Sequence, residues 1–264
     1  MNRITRKFQE LRRNKKKAFI PFLTAGYPSL KFTEELVLNL AQAGVDVIEL
    51  GIPFSDPLAD GQTIQMASEL ALKKGVNVPQ VLQLVRRVRQ KSEVPIAFMT
   101  YCNTIVSYGE ERFVKDVKVA GIDGLIIPDL PPEEAGSLRR YAQKAGLTLS
   151  FFVAPTTSSD RIRKIVQAST GFIYYVSLTG VTGARQALPS ELMAGISEVK
   201  KVTDKAICVG FGISTSEQVK MLSYVADGVI VGSAIIKEIQ KLQGQRDAVA
   251  KVTKFVSRLR EAQK

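Results

Sequence analysis

Eight short β-rich runs alternate with helix-period segments along 264 residues, and that alternation leaves few folds open. The runs lie near 18–23, 45–50, 96–101, 124–127, 148–153, 172–177, 206–209 and 228–231. Between them, amphipathic stretches cover 32–43, 78–90, 110–120, 132–145, 160–168, 191–202 and 217–225. Strands that alternate with helices pair in parallel, because each crossover helix returns the chain to the same end of the sheet. Eight such units in about 250 residues match a closed (β/α)8 TIM barrel, an α/β fold. A doubly wound open sheet competes less well, since no dinucleotide-type glycine fingerprint follows the first strand.

Local signals set several boundaries. Residues 3–13 carry Ile4, Phe8 and Leu11 on one helical face, which predicts an extra N-terminal helix before strand one. Pro79 suits the first turn of its helix. Gly44, Gly121 and Gly146 each follow a periodic segment, where a left-handed helix terminus favours glycine. Ser214 and Glu217 have capping-box spacing. No proline- or serine-rich linker divides the chain. The reading is therefore one domain, 1–264, with 1–17 as an N-terminal helix and basic segment.

Lys and Arg number 37 against 25 Asp and Glu, a formal charge of +12. The densest cluster is Arg12-Arg13-Asn14-Lys15-Lys16-Lys17. It reads as the solvated C-terminal end of the first helix, where cations favour the dipole. No aromatics interleave with it and no nucleic-acid recognition motif appears, so a nucleic-acid partner is not expected. No apolar run is long enough for a membrane span, and none follows the basic start as a leader would, so a cytoplasmic protein is expected. Cys102 and Cys208 lie in or beside apolar runs without metal-ligand spacing, which predicts reduced packing residues and no metal.

In a parallel barrel the active site lies at the C-terminal ends of the strands, so chain order becomes geometry. Glu49 ends the run Val47-Ile48, and the next loop carries Asp56 and Asp60. Tyr101, Asp129 and Tyr174 also fall at or near strand ends, so all four strand-end side chains can converge on one mouth. With no histidine in the chain, carboxylates become the candidates for proton transfer near neutral pH. Glycine turns follow the last three strands: Gly180-Val181-Thr182-Gly183, Gly210-Phe211-Gly212-Ile213 and Gly232-Ser233-Ala234. Such turns let backbone N–H groups approach an anion, and the last opens a helix. By composition alone, Glu49 could equally be an ion-pair partner, Asp60 a turn residue, and the glycines simple barrel turns.

The stretch 49–65, ELGIPFSDPLADGQTIQ, closely resembles the signature of the tryptophan synthase alpha subunit family. Residues 22–28, Asp123-Gly124, Pro128-Asp129 and the three glycine turns fit it too. Gln62 and Thr104 depart from it where proline is common, and 185–188 is shorter than in some members. The resemblance implies a lyase that cleaves indole-3-glycerol phosphate to indole and glyceraldehyde 3-phosphate without a cofactor in this chain. It implies Glu49 and Asp60 as catalytic, with Phe22, Tyr101, Ile126, Tyr174, Thr182 and Phe211 around the indole or steadying the acids. Gly183, Gly212, Gly232 and Ser233 are implied to hold the phosphate. The partner implied is a beta subunit carrying pyridoxal phosphate, in an α2β2 assembly, with Pro53 and Asp56 facing it. Loops 53–60 and 178–188 are implied to order on substrate binding. A barrel that only binds and activates a beta subunit is the alternative, as is, more distantly, a basic scaffold for nucleic acid.

Overall fold

A computed structural model describes residues 1–176, 190–210 and 212–263. In chain order its elements are α1 (Arg3–Arg13), β1 (Ala18–Thr24), α2 (Leu30–Gln42), β2 (Ile48–Gly51), α3 (Gln62–Lys73), α4 (Val78–Arg89) and β3 (Ile96–Met99). There follow α5 (Cys102–Tyr108), α6 (Glu110–Ala120), β4 (Gly124–Ile126), α7 (Gly136–Ala145), β5 (Thr148–Ser150), β6 (Phe152–Val153) and α8 (Ser159–Ala168). The chain ends with β7 (Ile173–Val176), α9 (Ser190–Val202), β8 (Ile207–Gly210), α10 (Ser216–Val225), β9 (Gly228–Val231), α11 (Ser233–Leu242) and α12 (Ala248–Glu261).

All strand pairs are parallel, in the order β5-β4-β3-β2-β1-β9-β8-β7-β6. The two ends of that order, β5 and β6, are one barrel strand interrupted at Phe151. The carbonyl of Phe151 accepts from Tyr174 N at 3.1 Å, which carries the pairing across the break. The sheet therefore closes, and the eight expected strands account for all nine segments.

Strand parity divides the core into two layers. Ala18, Ile20 and Phe22 of β1 face inward with Val47, Ala97, Met99, Ile126, Phe172, Tyr174, Cys208 and Ile230. The alternate residues, such as Phe19, Leu23, Ile48, Leu50, Phe98, Val209 and Val229, pack under the helices. Both faces are covered, which is why the strands read as nearly continuous apolar runs. Ile4 and Leu11 of α1 join the inner cluster, so α1 plugs the N-terminal end of the barrel. Gly121 and Gly146 take the left-handed conformation at the ends of α6 and α7, as expected. The same kind of turn ends α1 with Lys15 in the left-handed position (φ 54°), where glycine is usual.

Sequence and structure differ at four places. The capping box of α10 is made by Thr215 and Gln218, one residue beyond the expected pair, because Ser214 still belongs to the incoming loop. Three helices, α3, α5 and α12, are not among the expected elements, whereas α11 opens at the last glycine turn as expected. Cys102 and Cys208 are both free thiols.

Three aspartates, each just before a strand, fasten the N-terminal end of the barrel. Asp46 accepts from Phe19 N at 2.9 Å, Asp123 from Ile96 N at 3.0 Å and Asp227 from Ile207 N at 3.0 Å. Each satisfies an N–H at the start of the neighbouring strand, the first of β3 and β8 and the second of β1. Asp123 also binds Arg89 at 2.9 Å and Arg3 at 3.0 Å, and so ties α1 and α4 to the barrel. Asp123→Ala leaves the largely buried Arg89 without its carboxylate. Loss of one partner of a buried pair costs about 3–5 kcal/mol, so urea unfolding should show a correspondingly lower midpoint.

Candidate active site

β2 delivers Glu49 into the barrel in register with Phe22 of β1 and Ala97 of β3. The side chain is completely buried, and neither carboxylate oxygen has a hydrogen-bond partner among the described residues. Burial pushes its pKa up to about 8, with the nearby charge of Asp60 adding to the rise. A carboxyl group so placed holds its proton at pH 7.

Asp60 ends the loop that follows β2, immediately before Gly61, the N-cap of α3. Burial raises its pKa to about 6, and the Tyr101 hydroxyl, donating to Oδ2 at 3.0 Å, moderates the rise. The adjoining helix N-terminus favours the same ionised form. Tyr101 also accepts from Ala59 N at 3.1 Å, and Phe54 stacks on its ring with centroids 5.1 Å apart. One tyrosine thus fixes the loop at three points. Gln65 adds a bond from its side-chain amide to the Asp60 carbonyl at 2.8 Å.

The apolar walls come from the inward positions. Phe22, Ile126 and Tyr174 are buried in the inner cluster. Burial holds the Tyr174 hydroxyl protonated, and the charge of Asp60, with that of Glu49 once it ionises, adds to the effect. Its oxygen fills the space beside Gly210, where an added Cβ would sit 2.6 Å away, so glycine is required there. Phe22 imposes the same condition on Gly51, where a Cβ would meet its ring at 2.7 Å.

On the other side of β1 from β2, after β9, Gly232 is the N-cap of α11 and lies against Phe22, with Ser233 as the first helical residue. No acidic residue occupies the first turn of α11, so its positive end is open to an anion. Gly212 takes φ +71°, the left-handed region that favours glycine. Thr182, Gly183 and Phe211 lie outside the described residues.

One expectation changes. Asp129 does not join Glu49: its carboxylate accepts from Cys102 N at 2.9 and 3.1 Å and caps α5. Pro53 is buried, whereas Asp56 is exposed and Leu58 is 92% exposed. That loop therefore presents Asp56 and Leu58 outward. Sequence reasoning also missed Met99, an inward neighbour of Ile126, although alternation from Ala97 points to it. Thr24 and Thr100, at the C-terminal ends of β1 and β3, carry buried hydroxyls without partners among the described residues.

No helix among the described residues is long and apolar enough to cross a membrane, and no group of three or more potential metal ligands occurs among them. A family profile described as tryptophan synthase alpha chain matches residues 8–264. Tryptophan synthase alpha chains of Geotalea daltonii and Citrifermentans bemidjiense are 46% and 48% identical, covering 98% and 99% of this chain and 98% and 97% of their own. The crystal structure of tryptophan synthase subunit alpha from Legionella pneumophila superposes with a TM-score of 0.92 at 40% identity, covering 99% of this chain and 98% of that one. A chain of tryptophan synthase from M. tuberculosis in an aminoacrylate-bound form aligns with a TM-score of 0.89 at 31% identity, over 100% of both chains. With the buried Glu49, the pinned Asp60 and the open helix end all on one rim of a closed barrel, the chain belongs to the tryptophan synthase alpha chain family.

Proposed function

We propose that Glu49 and Asp60 divide the work of the alpha reaction between them, one as a proton carrier and the other as a fixed negative charge. The reaction is the retro-aldol cleavage of indole-3-glycerol phosphate to indole and glyceraldehyde 3-phosphate, one half of tryptophan synthesis. Protonated Glu49 gives its proton to the third carbon of the indole ring. The ring becomes cationic, and ionised Asp60 offsets that charge through a hydrogen bond from the ring N–H. The side-chain hydroxyl then loses its proton to the carboxylate of Glu49, the carbon–carbon bond breaks, and its electron pair restores the aromatic ring. Glu49 ends protonated, ready for the next cycle.

One observation carries this division of roles. Two neighbouring carboxyl groups have pKa values pushed up to about 8 and about 6, so at pH 7 one keeps its proton and the other does not. Phe22, Ile126 and Tyr174 form the apolar bed for the ring, and Tyr101 positions Asp60. Gly212, Gly232 and Ser233 hold the phosphate, together with Gly183. The product indole passes to the beta subunit of tryptophan synthase, the partner in an α2β2 assembly. Asp56 and Leu58 are the part of the catalytic loop that faces it. Pyridoxal phosphate chemistry belongs to that partner, and the cytoplasm is the compartment that suits this biosynthetic step.

The test is indole release from indole-3-glycerol phosphate, with and without a beta subunit, as a function of pH. The kcat/KM profile should fall above a limb near pH 8 as free Glu49 loses its proton. A profile flat to pH 10 would remove Glu49 from the acid role. No release by either preparation would support the reading of a barrel that only activates its partner.

A further inference from the structure

The basic cluster at the end of α1 takes no part in the reaction proposed above. It borders a cavity of about 550 Å³ at the N-terminal end of the barrel, the opposite end from the Glu49 mouth. The cavity lies between α1 and the segments that lead into β7, β8 and β9. Its apolar part is Ile4, Phe8 and Leu11, with Phe8 held by a ring contact to Phe172 at 5.7 Å. Five cations line it against the two carboxylates of Asp204 and Asp227.

Three of those cations already have partners. Lys17 lies 3.6 Å from Asp227, Lys205 donates to the carbonyls of Val166 and Ser169, and Arg12 donates to the carbonyl of Asp204. Lys15 and Lys16 have no side-chain partner among the described residues. The left-handed turn at Lys15 and the bond from Lys16 N to the Leu11 carbonyl at 2.8 Å hold both residues beside the cavity. The site thus combines an apolar wall, a volume in the range of small-molecule pockets and an uncompensated pair of ammonium groups.

We propose that this cavity binds a small organic anion with a flat apolar body, an aryl carboxylate or aryl sulfonate. The ring lies against the half-buried Phe8, above the buried Ile4 and Leu11, and the acid group meets Lys15 and Lys16. A nucleic acid suits the site less well, because the apolar wall is concave and its aromatic ring is engaged with Phe172.

The probe is 8-anilinonaphthalene-1-sulfonate, followed by fluorescence on the full chain at low salt. Saturable one-to-one binding is expected, with the dissociation constant raised at least tenfold in Lys15→Glu/Lys16→Glu. Gln9→Trp keeps every cation but fills the cavity, and should abolish binding. Both variants should release indole at the wild-type rate, which shows that they are folded. Equal dye binding by wild type and both variants would overturn the proposal. So would failure of the dye to bind while an oligonucleotide binds through Lys15 and Lys16.

Discussion

Glu49→Gln lowers the rate of indole release by about 10²–10⁴-fold, the usual loss for a positioned general acid. The amide has nearly the same shape and cannot supply the proton. Phosphate binding at Gly232 and Ser233 should survive, so the loss falls on kcat and KM changes little. The same variant has a stability signature of definite sign. The folded pKa of Glu49, about 8, lies above its ordinary value of 4.5, so the folded chain binds this proton more tightly than the unfolded chain. Stability from this group is complete below pH 4.5 and declines as the pH rises to about 8, at up to about 1.4 kcal/mol per unit. Glu49→Gln has no charge to bury, so it should gain stability relative to the wild type between pH 4.5 and 8. Thermal melts of both proteins at pH 5 and pH 8.5 check this. A wild type that gains on the variant over that interval would contradict a buried, protonated Glu49.

Asp60→Asn lowers turnover by about 10²–10³-fold, comparable to the loss of one electrostatic contact to a developing charge. Asparagine still accepts a hydrogen bond from the ring N–H, but it cannot neutralise the cation. Asp60→Glu should recover part of the rate, because it restores the charge at a displaced position. Single-turnover indole release by the three proteins distinguishes these cases. Near-normal release by Asp60→Asn would reduce Asp60 to a turn residue that Tyr101 happens to bind.

The barrel was legible because its strands are buried on both faces. Runs such as Val47–Ile48 and 228–231 have no polar face to obscure them, and glycine marks the helix ends before 45–50, 124–127 and 148–153. The interruption at Phe151 was not legible, because a local change of hydrogen-bond partner leaves no trace in a run as apolar as 148–153. Helix α5 was missed because seven residues hold too few turns to establish a period. Helix α12 did carry its signal: Ala248, Val252, Val256 and Leu259 recur at helical spacing and are buried.

At the site, Glu49 was legible as a strand-end carboxylate in a chain without histidine. Its depth was not, since no pattern in sequence reports that both oxygens lack partners among the described residues. Asp60 was legible through its surrounding signature, whereas α3 beginning just after it was not: Gly61 offers no side-chain cap, so no capping residue announces the helix. Asp129 had the same sequence credentials as Glu49, yet it caps α5. Position at a strand end admits a residue to the mouth of the barrel, and the nearest open backbone donor then decides whether it stays free for chemistry.

The central claim is that Glu49 keeps its proton at neutral pH while Asp60 does not. The most direct measurement is a ¹³C NMR titration of protein labelled at the glutamate side-chain carboxyl, with the Glu49 resonance assigned by its absence in Glu49→Gln. A midpoint near pH 8 is predicted. A midpoint near the ordinary 4.5 would mean that Glu49 is ionised when substrate arrives, and would contradict its role as the acid.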